Sequence, residues 1–218
     1  MYSKEIIDGY REIFSTASIA DACDLLLGKT MYLPFDIKNR INEKKIVGPA
    51  VTIVEEATLE KLPPQHALDA IDESEEGSII VISGDAALET VAVWGGLMTA
   101  GAVANKHEGA VLNGGMRDIA EIRRDYDFPV YSKTISPGTT LGRFKTVAAN
   151  KPVQIGEALI RPGDLIIGDV DGVVCVPQEH VEAVLRESQS IDSRELEQAK
   201  LIIQSGSLRD GLAKYGRI

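Results

Sequence analysis

The sequence predicts a single α/β domain, and three observations point that way. Stretches with helical apolar spacing alternate with short β-branched runs from residue 2 to about 133. A β-rich block follows at 153–176, its apolar runs separated by Gly and Pro turn signals. No repeat, low-complexity tract or interdomain linker divides the 218 residues, so one unit is expected over 1–218. A chain of this length can close one well-packed core. With 44% apolar and 26% charged residues, its composition is that of a globular protein and not of a disordered one.

Residues 2–14 place apolar side chains at 6, 7, 10, 13 and 14, a helical spacing. Ser18 is a candidate N-cap for a second helix, Ile19 to Leu27, and Gly28 is its expected stop. Ile46 to Val54 reads as a strand, Gln65 to Asp72 as a short helix, and Ser78 to Ser83 as a strongly apolar strand. Ala86 to Trp94 fits either helix or loop. A helix is expected at 97–106, mostly buried, then a strand at 109–113 and a short helix ending near Asp125. Phe128 to Lys133 is another strand, and 136–140 (Ser-Pro-Gly-Thr-Thr) reads as a loop whose small residues can also line a cleft. Gly156-Glu157 and Pro162-Gly163-Asp164 mark turns in the β-rich block. A long amphipathic helix is expected from about 178 to 205, stopped by Gly206.

Thirty-three acidic against 23 basic residues give a net charge of −10. Such a surface repels nucleic acid, and Lys44-Lys45 or Arg123-Arg124 is too small a basic patch to reverse that. No apolar run approaches the length of a membrane span, and the first residues lack a signal-peptide core, so neither a membrane nor a secreted role is expected. Cys23 and Cys175 sit among apolar neighbours and read as buried free thiols in a reducing cytosol, which places the protein in the cytoplasm.

The chemistry is concentrated between Trp94 and Asp118, WGGLMTAGAVANKHEGAVLNGGMRD. Gly95-Gly96 opens a helix; Gly114-Gly115 is expected to close the strand ahead of Arg117 and Asp118. Free N–H groups at a helix start (Gly95, Gly96, Leu97 and Met98) bind anions, and glycine allows a ligand close to the backbone. Arg grips a carboxylate in a fixed fork, while Asp binds hard cations. The stretch therefore suits an anionic substrate and a metal; it equally describes a strand–turn–helix with a surface ion pair. Histidines 66, 107 and 180 show no ligand spacing, and no nucleophile elbow, nucleotide fingerprint or Schiff-base lysine stands out.

This stretch is similar to the family of class II 4-hydroxy-4-methyl-2-oxoglutarate aldolases and protein regulators of ribonuclease E activity. The resemblance rests on the glycine-led helix, GAVLNGGMRD, Phe128-Pro129-Val130, Pro162-Gly163-Asp164, the run Asp169 to Pro177 and the upstream Gly48 to Thr52, about residues 15–200 in all. It implies a swivelling β/β/α sandwich assembled as trimers or pairs of trimers. It implies that Arg117 binds the carboxylate of a small 2-oxo acid and that Asp118 is the direct protein ligand of Mg²⁺ or Mn²⁺, with Gly95, Gly96, Leu97 and Met98 facing the same carboxylate. Glu121, three residues past Asp118 and so on the same helical face, is placed to hold the metal's waters or else is simply solvated. An acidic residue from a neighbouring subunit's C-terminal helix is also implied, with Glu195 or Glu197 as candidates. Asp169 and Asp171 are expected to serve a turn.

One departure bears on the reaction. The aldolase pattern carries an Asp twenty-one positions before the Arg; here that position is Gly96 (117 − 96 = 21). Without that acid, retro-aldol cleavage lacks a partner for the 4-hydroxyl proton, whereas oxaloacetate decarboxylation needs none. The expected function is a metal-dependent carbon–carbon lyase that releases pyruvate by one or both routes. The alternative is a non-catalytic regulator that binds ribonuclease E; regulators of that kind lack the metal-site Asp, and this chain keeps Asp118. Methyl transfer to a quinone finds no adenosine-binding glycine motif.

Overall fold

In the computed structural model, which describes residues 2–216, the elements follow the expected alternation. Helices α1 (Lys4–Glu12) and α2 (Thr16–Leu27) precede strands β1 (Lys38–Asn39) and β2 (Ile46–Ala57). Next come α3 (Gln65–Glu73), β3 (Ile79–Gly84), a 3-10 turn (Ala86–Thr90), β4 (Ala92–Trp94), α4 (Gly96–Ala104), β5 (Gly109–Met116), α5 (Ile119–Asp125) and β6 (Val130–Ile135). A further strand that the sequence did not suggest, β7 (Phe144–Ala149), precedes the β-rich block, which supplies β8 (Val153–Ile155), β9 (Ala158–Ile160), β10 (Leu165–Gly168) and β11 (Val173–Val176). The chain then runs through the long α6 (Val181–Ser205) and the short α7 (Leu208–Tyr215).

Seven strands form the path β1-β6-β5-β3-β2-β10-β11, with β4 added to β5 and β7 to β2. The central strands β2, β3, β5 and β6 are parallel, β4 joins β5 in parallel, and the other flanking pairs are antiparallel. Side chains alternate across a strand, so the central run feeds two cores. Val81, Val111 and Tyr131 face one core, with α1, α2, α6 and the β8–β9 hairpin. Ile80, Ile82, Ala110, Leu112 and Val130 face the other, with α3, α4 and α5. Burial on both faces is why β3 reads as an unbroken apolar run. The resulting α/β sandwich with its long C-terminal helix is the expected class.

Four local expectations are corrected. Ser15, not Ser18, caps α2: its side chain accepts from the Ala17 N–H. Ser18 is buried and donates to Asp192 (2.5 Å), while Asp169 accepts from the N–H and hydroxyl of Thr16 (both 2.7 Å); Asp169 also takes the Asp171 N–H (3.0 Å), the turn role expected of it. Gly114-Gly115 lies inside β5 and does not end it, because a Cβ at Gly115 would stand 2.4 Å from the Val91 carbonyl; the pair lets β4 approach. The ambiguous 86–94 segment is a 3-10 turn followed by a strand. Finally, α4 is not mostly buried: Gly96, Thr99 and Ala102 are, but Leu97 is 91% exposed. Gly28 stops α2 at φ +61° and Gly206 stops α6 at φ +69°, as expected. No helix among the described residues is long and apolar enough to cross a membrane.

Candidate active site

The site is built where β4 and β5 end together. Their parallel pairing finishes at Trp94 and Met116, and the Arg117 N–H donates to the Trp94 carbonyl (3.0 Å). Two strand-to-helix junctions therefore lie side by side at the C-terminal ends of parallel strands, the usual place for ligands in such sheets. One is Gly95-Gly96 leading into α4; the other is Arg117-Asp118 leading into α5. Trp94 anchors the first: buried, it stacks on Phe128 and donates to the Thr99 hydroxyl (2.8 Å), which itself donates to the Gly95 carbonyl (3.0 Å).

Asp118 is held in the left-handed region (φ 62°, ψ 29°), costly for a residue with a Cβ and a frequent mark of functional sites. It stands at the N-cap position of α5 yet makes no side-chain cap to its own helix. Its Oδ2 accepts instead from the Gly96 N–H across the cleft (3.0 Å) and lies 3.5 Å from Arg117 Nε. The Arg117–Asp118 pair is 44% and 38% exposed, so as a salt bridge it adds little stability, and both groups remain open to a ligand. The N–H groups of Leu97 and Met98, in the first turn of α4, have no intrahelical acceptor and border the same cleft.

At both glycines a carboxylate comes close to the backbone. A Cβ on Gly95 would lie 2.6 Å from Asp118 Oδ2 and 3.3 Å from Arg117 Nε; one on Gly96 would lie 2.5 Å from Glu121 Oε1. Glu121 thus reaches across from α5 and fills the space a side chain at position 96 would use. Its carboxylate, expected on the same helical face as Asp118, reaches position 96, where the aldolase pattern carries an Asp. Glu121 makes no hydrogen bond among the described residues, so its carboxylate is uncommitted.

The exposed Asp118 carboxylate, bonded only through Oδ2, and the uncommitted Glu121 carboxylate suit a hard divalent ion that keeps most of its waters, the habit of Mg²⁺. Among the described residues no third His, Cys, Asp or Glu joins them. Glu195 and Glu197 are exposed on α6, which packs on α1, α2 and α7, and neither lines the cleft within one chain. The cleft, of about 340 Å³, runs from Arg117 and Asp118 past Gly95 to Met98 and is closed by Thr139, Thr140 and Leu141, confirming a lining role for part of that loop. Sequence reading missed its opposite wall, Leu62 to Leu68, and the strand β4 that aligns it. A larger hollow of about 720 Å³ opens at the end of α2, near Arg161 and His180, away from the paired carboxylates.

A family model described as RraA-like, Aldolase/RraA, matches residues 16–175. The chain belongs to the RraA-like family. An RraA-like relative from Halalkalibacterium halodurans, provisionally named a 4-hydroxy-4-methyl-2-oxoglutarate aldolase, is 34% identical over 190 residues, covering 85% of this chain and 82% of that one. Protein DlpA of Legionella pneumophila is 32% identical over 194 residues, 88% of this chain. The chain spans only 31% of DlpA and 62% of the Methanocaldococcus jannaschii protein MJ0644 (31% identical over 140 residues, 60% of this chain). Among solved structures, a Pseudomonas syringae protein of uncharacterized function superposes with a TM-score of 0.85 at 28% identity, covering 98% of this chain and 95% of its own. Streptomyces coelicolor RraAS2, described as an unusual member of the RNase ES inhibitor RraA family, gives 0.76 at 21% identity, covering 92% and 98%, a likeness of fold alone.

Cys23 and Cys175 are buried and free, as expected. Burial pushes the Cys23 thiol up to about 12 and holds Cys175 well above the ordinary thiol range, so both are inert at neutral pH.

Proposed function

We propose that this RraA-like chain is a divalent-metal-dependent carbon–carbon lyase that cleaves a small 2-oxo acid to release pyruvate. One observation carries the reading: Asp118 holds a strained left-handed backbone without capping its own helix, and its carboxylate is turned beside Arg117 toward the start of α4. Lyase names among relatives about a third identical support it.

Arg117 would bind the substrate's C1 carboxylate through its guanidinium fork, helped by the N–H groups of Leu97 and Met98. Gly95 and Gly96 let that carboxylate approach the backbone. Asp118 would hold the cation, with Glu121 beside it, and the cation when bound supplies Lewis-acid polarisation of the 2-keto oxygen. Glu121 would take the proton of a 4-hydroxyl. As that proton leaves, the C3–C4 bond breaks, its electron pair passes to C3 as the pyruvate enolate, and C4 becomes a carbonyl carbon. Glu121 then returns the proton to C3, leaving pyruvate and the base restored. In oxaloacetate the same bond breaks with loss of CO₂, and no hydroxyl proton needs to be removed. Assembly as a trimer, or a dimer of trimers, would bring another subunit's Glu195 toward the cleft.

The test is pyruvate release from 4-hydroxy-4-methyl-2-oxoglutarate and from oxaloacetate, coupled to lactate dehydrogenase, with Mg²⁺, with Mn²⁺ and after chelation. Release that needs the metal and exceeds the metal-only rate is expected. If neither substrate exceeds that rate, the lyase reading is lost, and a pull-down on ribonuclease E becomes the next measurement.

A further inference from the structure

The hydrogen bonds around Gly95-Gly96 all run in one direction. The indole N–H of Trp94 donates to the Thr99 hydroxyl (2.8 Å), and that hydroxyl donates to the Gly95 carbonyl (3.0 Å). The Gly95 carbonyl and the Gly96 N–H are the two ends of one peptide group. At its far end, the Gly96 N–H donates to Asp118 Oδ2 (3.0 Å). A continuous file of donors therefore leads from a core indole to the carboxylate assigned to the cation. Trp94 and Thr99 are fully buried, so bulk water does not compete for either group. At the Asp118 end the two oxygens differ. Oδ2 takes the Gly96 bond and lies 3.5 Å from Arg117 Nε, whereas Oδ1 accepts no hydrogen bond among the described residues.

The Gly95 carbonyl accepts from Thr99 twice, because the Thr99 N–H also reaches it (3.0 Å). Any residue at position 99 would supply that backbone bond; the hydroxyl bond needs Thr or Ser. Thr99 carries the one hydroxyl in α4, whose other residues are glycine or apolar. A second donor on the carbonyl polarises the peptide and strengthens the N–H at its other end, by about 10–30% per bond in such chains. That N–H meets a carboxylate, where hydrogen bonds are strongest. We propose that Thr99 is a positioning residue for Asp118: through the Gly95–Gly96 peptide, its hydroxyl holds Oδ2 toward α4 and leaves Oδ1 as the open oxygen. This rests on the metal-binding reading of Asp118 given above and adds to it a residue that touches neither cation nor substrate. Partners behind a metal ligand typically set affinity by about 10- to 100-fold, and Thr99 acts one peptide further out, so the low end is expected.

The test is metal binding and does not need turnover. Mn²⁺ is titrated into the full chain and the free ion is read by electron paramagnetic resonance, beside a thermal melt of each variant. Thr99→Val, which keeps the shape and loses the hydroxyl, is expected to bind Mn²⁺ about tenfold more weakly. Thr99→Ser, which keeps the hydroxyl, is expected to stay within about twofold of the wild type. Thr99→Val also strands the buried Trp94 N–H, which is destabilising. The double variant Trp94→Phe/Thr99→Val has no stranded donor. It is expected to melt above Thr99→Val while binding Mn²⁺ as weakly. Wild-type affinity in either Val variant overturns the proposal, as does recovery of affinity together with stability in the double variant. A loss in Thr99→Ser as large as in Thr99→Val also overturns it, since packing of the methyl group would then be the cause. Failure of the wild type to bind Mn²⁺ removes the metal reading itself, and the positioning role with it.

Discussion

Gly95→Ala isolates the geometry on which the site depends. The backbone at Gly95 is extended (φ −158°, ψ −168°), a conformation alanine adopts freely, so the substitution acts through its methyl group alone. That methyl would lie 2.6 Å from Asp118 Oδ2, against about 3.4 Å for ordinary contact, so the carboxylate must retreat by about 0.8 Å (3.4 − 2.6). A displacement of roughly 1 Å in a reacting constellation can cost about 10²-fold in rate. Alanine is also a poorer helix cap than glycine, a loss on the order of 1 kcal/mol, or about 2–4 °C in a chain of this size. The expected result is therefore a fall of about 10- to 100-fold in kcat/KM for pyruvate release and a rise in the Mg²⁺ concentration giving half-maximal rate. The melting temperature should fall only slightly. Steady-state kinetics across a Mg²⁺ series and a calorimetric melt measure all three. Undiminished kcat/KM with an unchanged Mg²⁺ requirement in the folded variant would refute the claim that Asp118's position matters.

Asp118→Asn and Asp118→Ala are expected to abolish Mg²⁺-dependent pyruvate release without unfolding the protein, as judged by circular dichroism, because the side chain is 38% exposed; a full Mg²⁺ response in Asp118→Ala would remove the metal assignment. Glu121→Ala should slow retro-aldol cleavage by about 10²-fold or more while sparing oxaloacetate decarboxylation, and adding Gly96→Asp to it should recover part of the loss. Gly96→Asp alone should recover nothing, since its side chain collides with Glu121; the ratio of the two activities in the three variants decides the matter. Glu55, 1% exposed with an unpartnered Oε2, is pushed up to about 7 by burial. An acid whose pKa is raised on folding keeps its proton in the native state after the unfolded chain has lost it, so stability should fall as pH rises from about 4.5 to about 7. The total is up to roughly 3 kcal/mol. Glu55→Gln should remove that slope, raising the melting temperature by several degrees at pH 8.5 and little at pH 5; parallel melting curves at the two pH values would count against it.

The α/β class, the order of the elements and the residues that carry charge into the cleft were legible in the sequence, because each has a local cause. Period-2 and period-3.6 patterns follow from which side of a strand or helix meets a core. Gly28 and Gly206 end helices because a left-handed cap favours a residue without Cβ. Arg117 and Asp118 stand out through the family resemblance of GAVLNGGMRD, since their spacing alone fits a surface ion pair as well. The tertiary structure decided what depends on segments distant in sequence. Gly114-Gly115 looked like a strand terminus until β4, itself ambiguous in the sequence, was seen to need its close approach. Ser18 looked like a cap, but its hydroxyl goes to Asp192, 174 residues away. Gly96 looked like a missing acid, yet the space beside it is filled by Glu121 from another helix. The leucines facing Arg117 come from segments near 62–68 and 141 that no local pattern joins. Local patterns report the forces a residue feels from its chain neighbours, whereas a site is assembled by packing between elements, and that packing is absent from any short window of sequence.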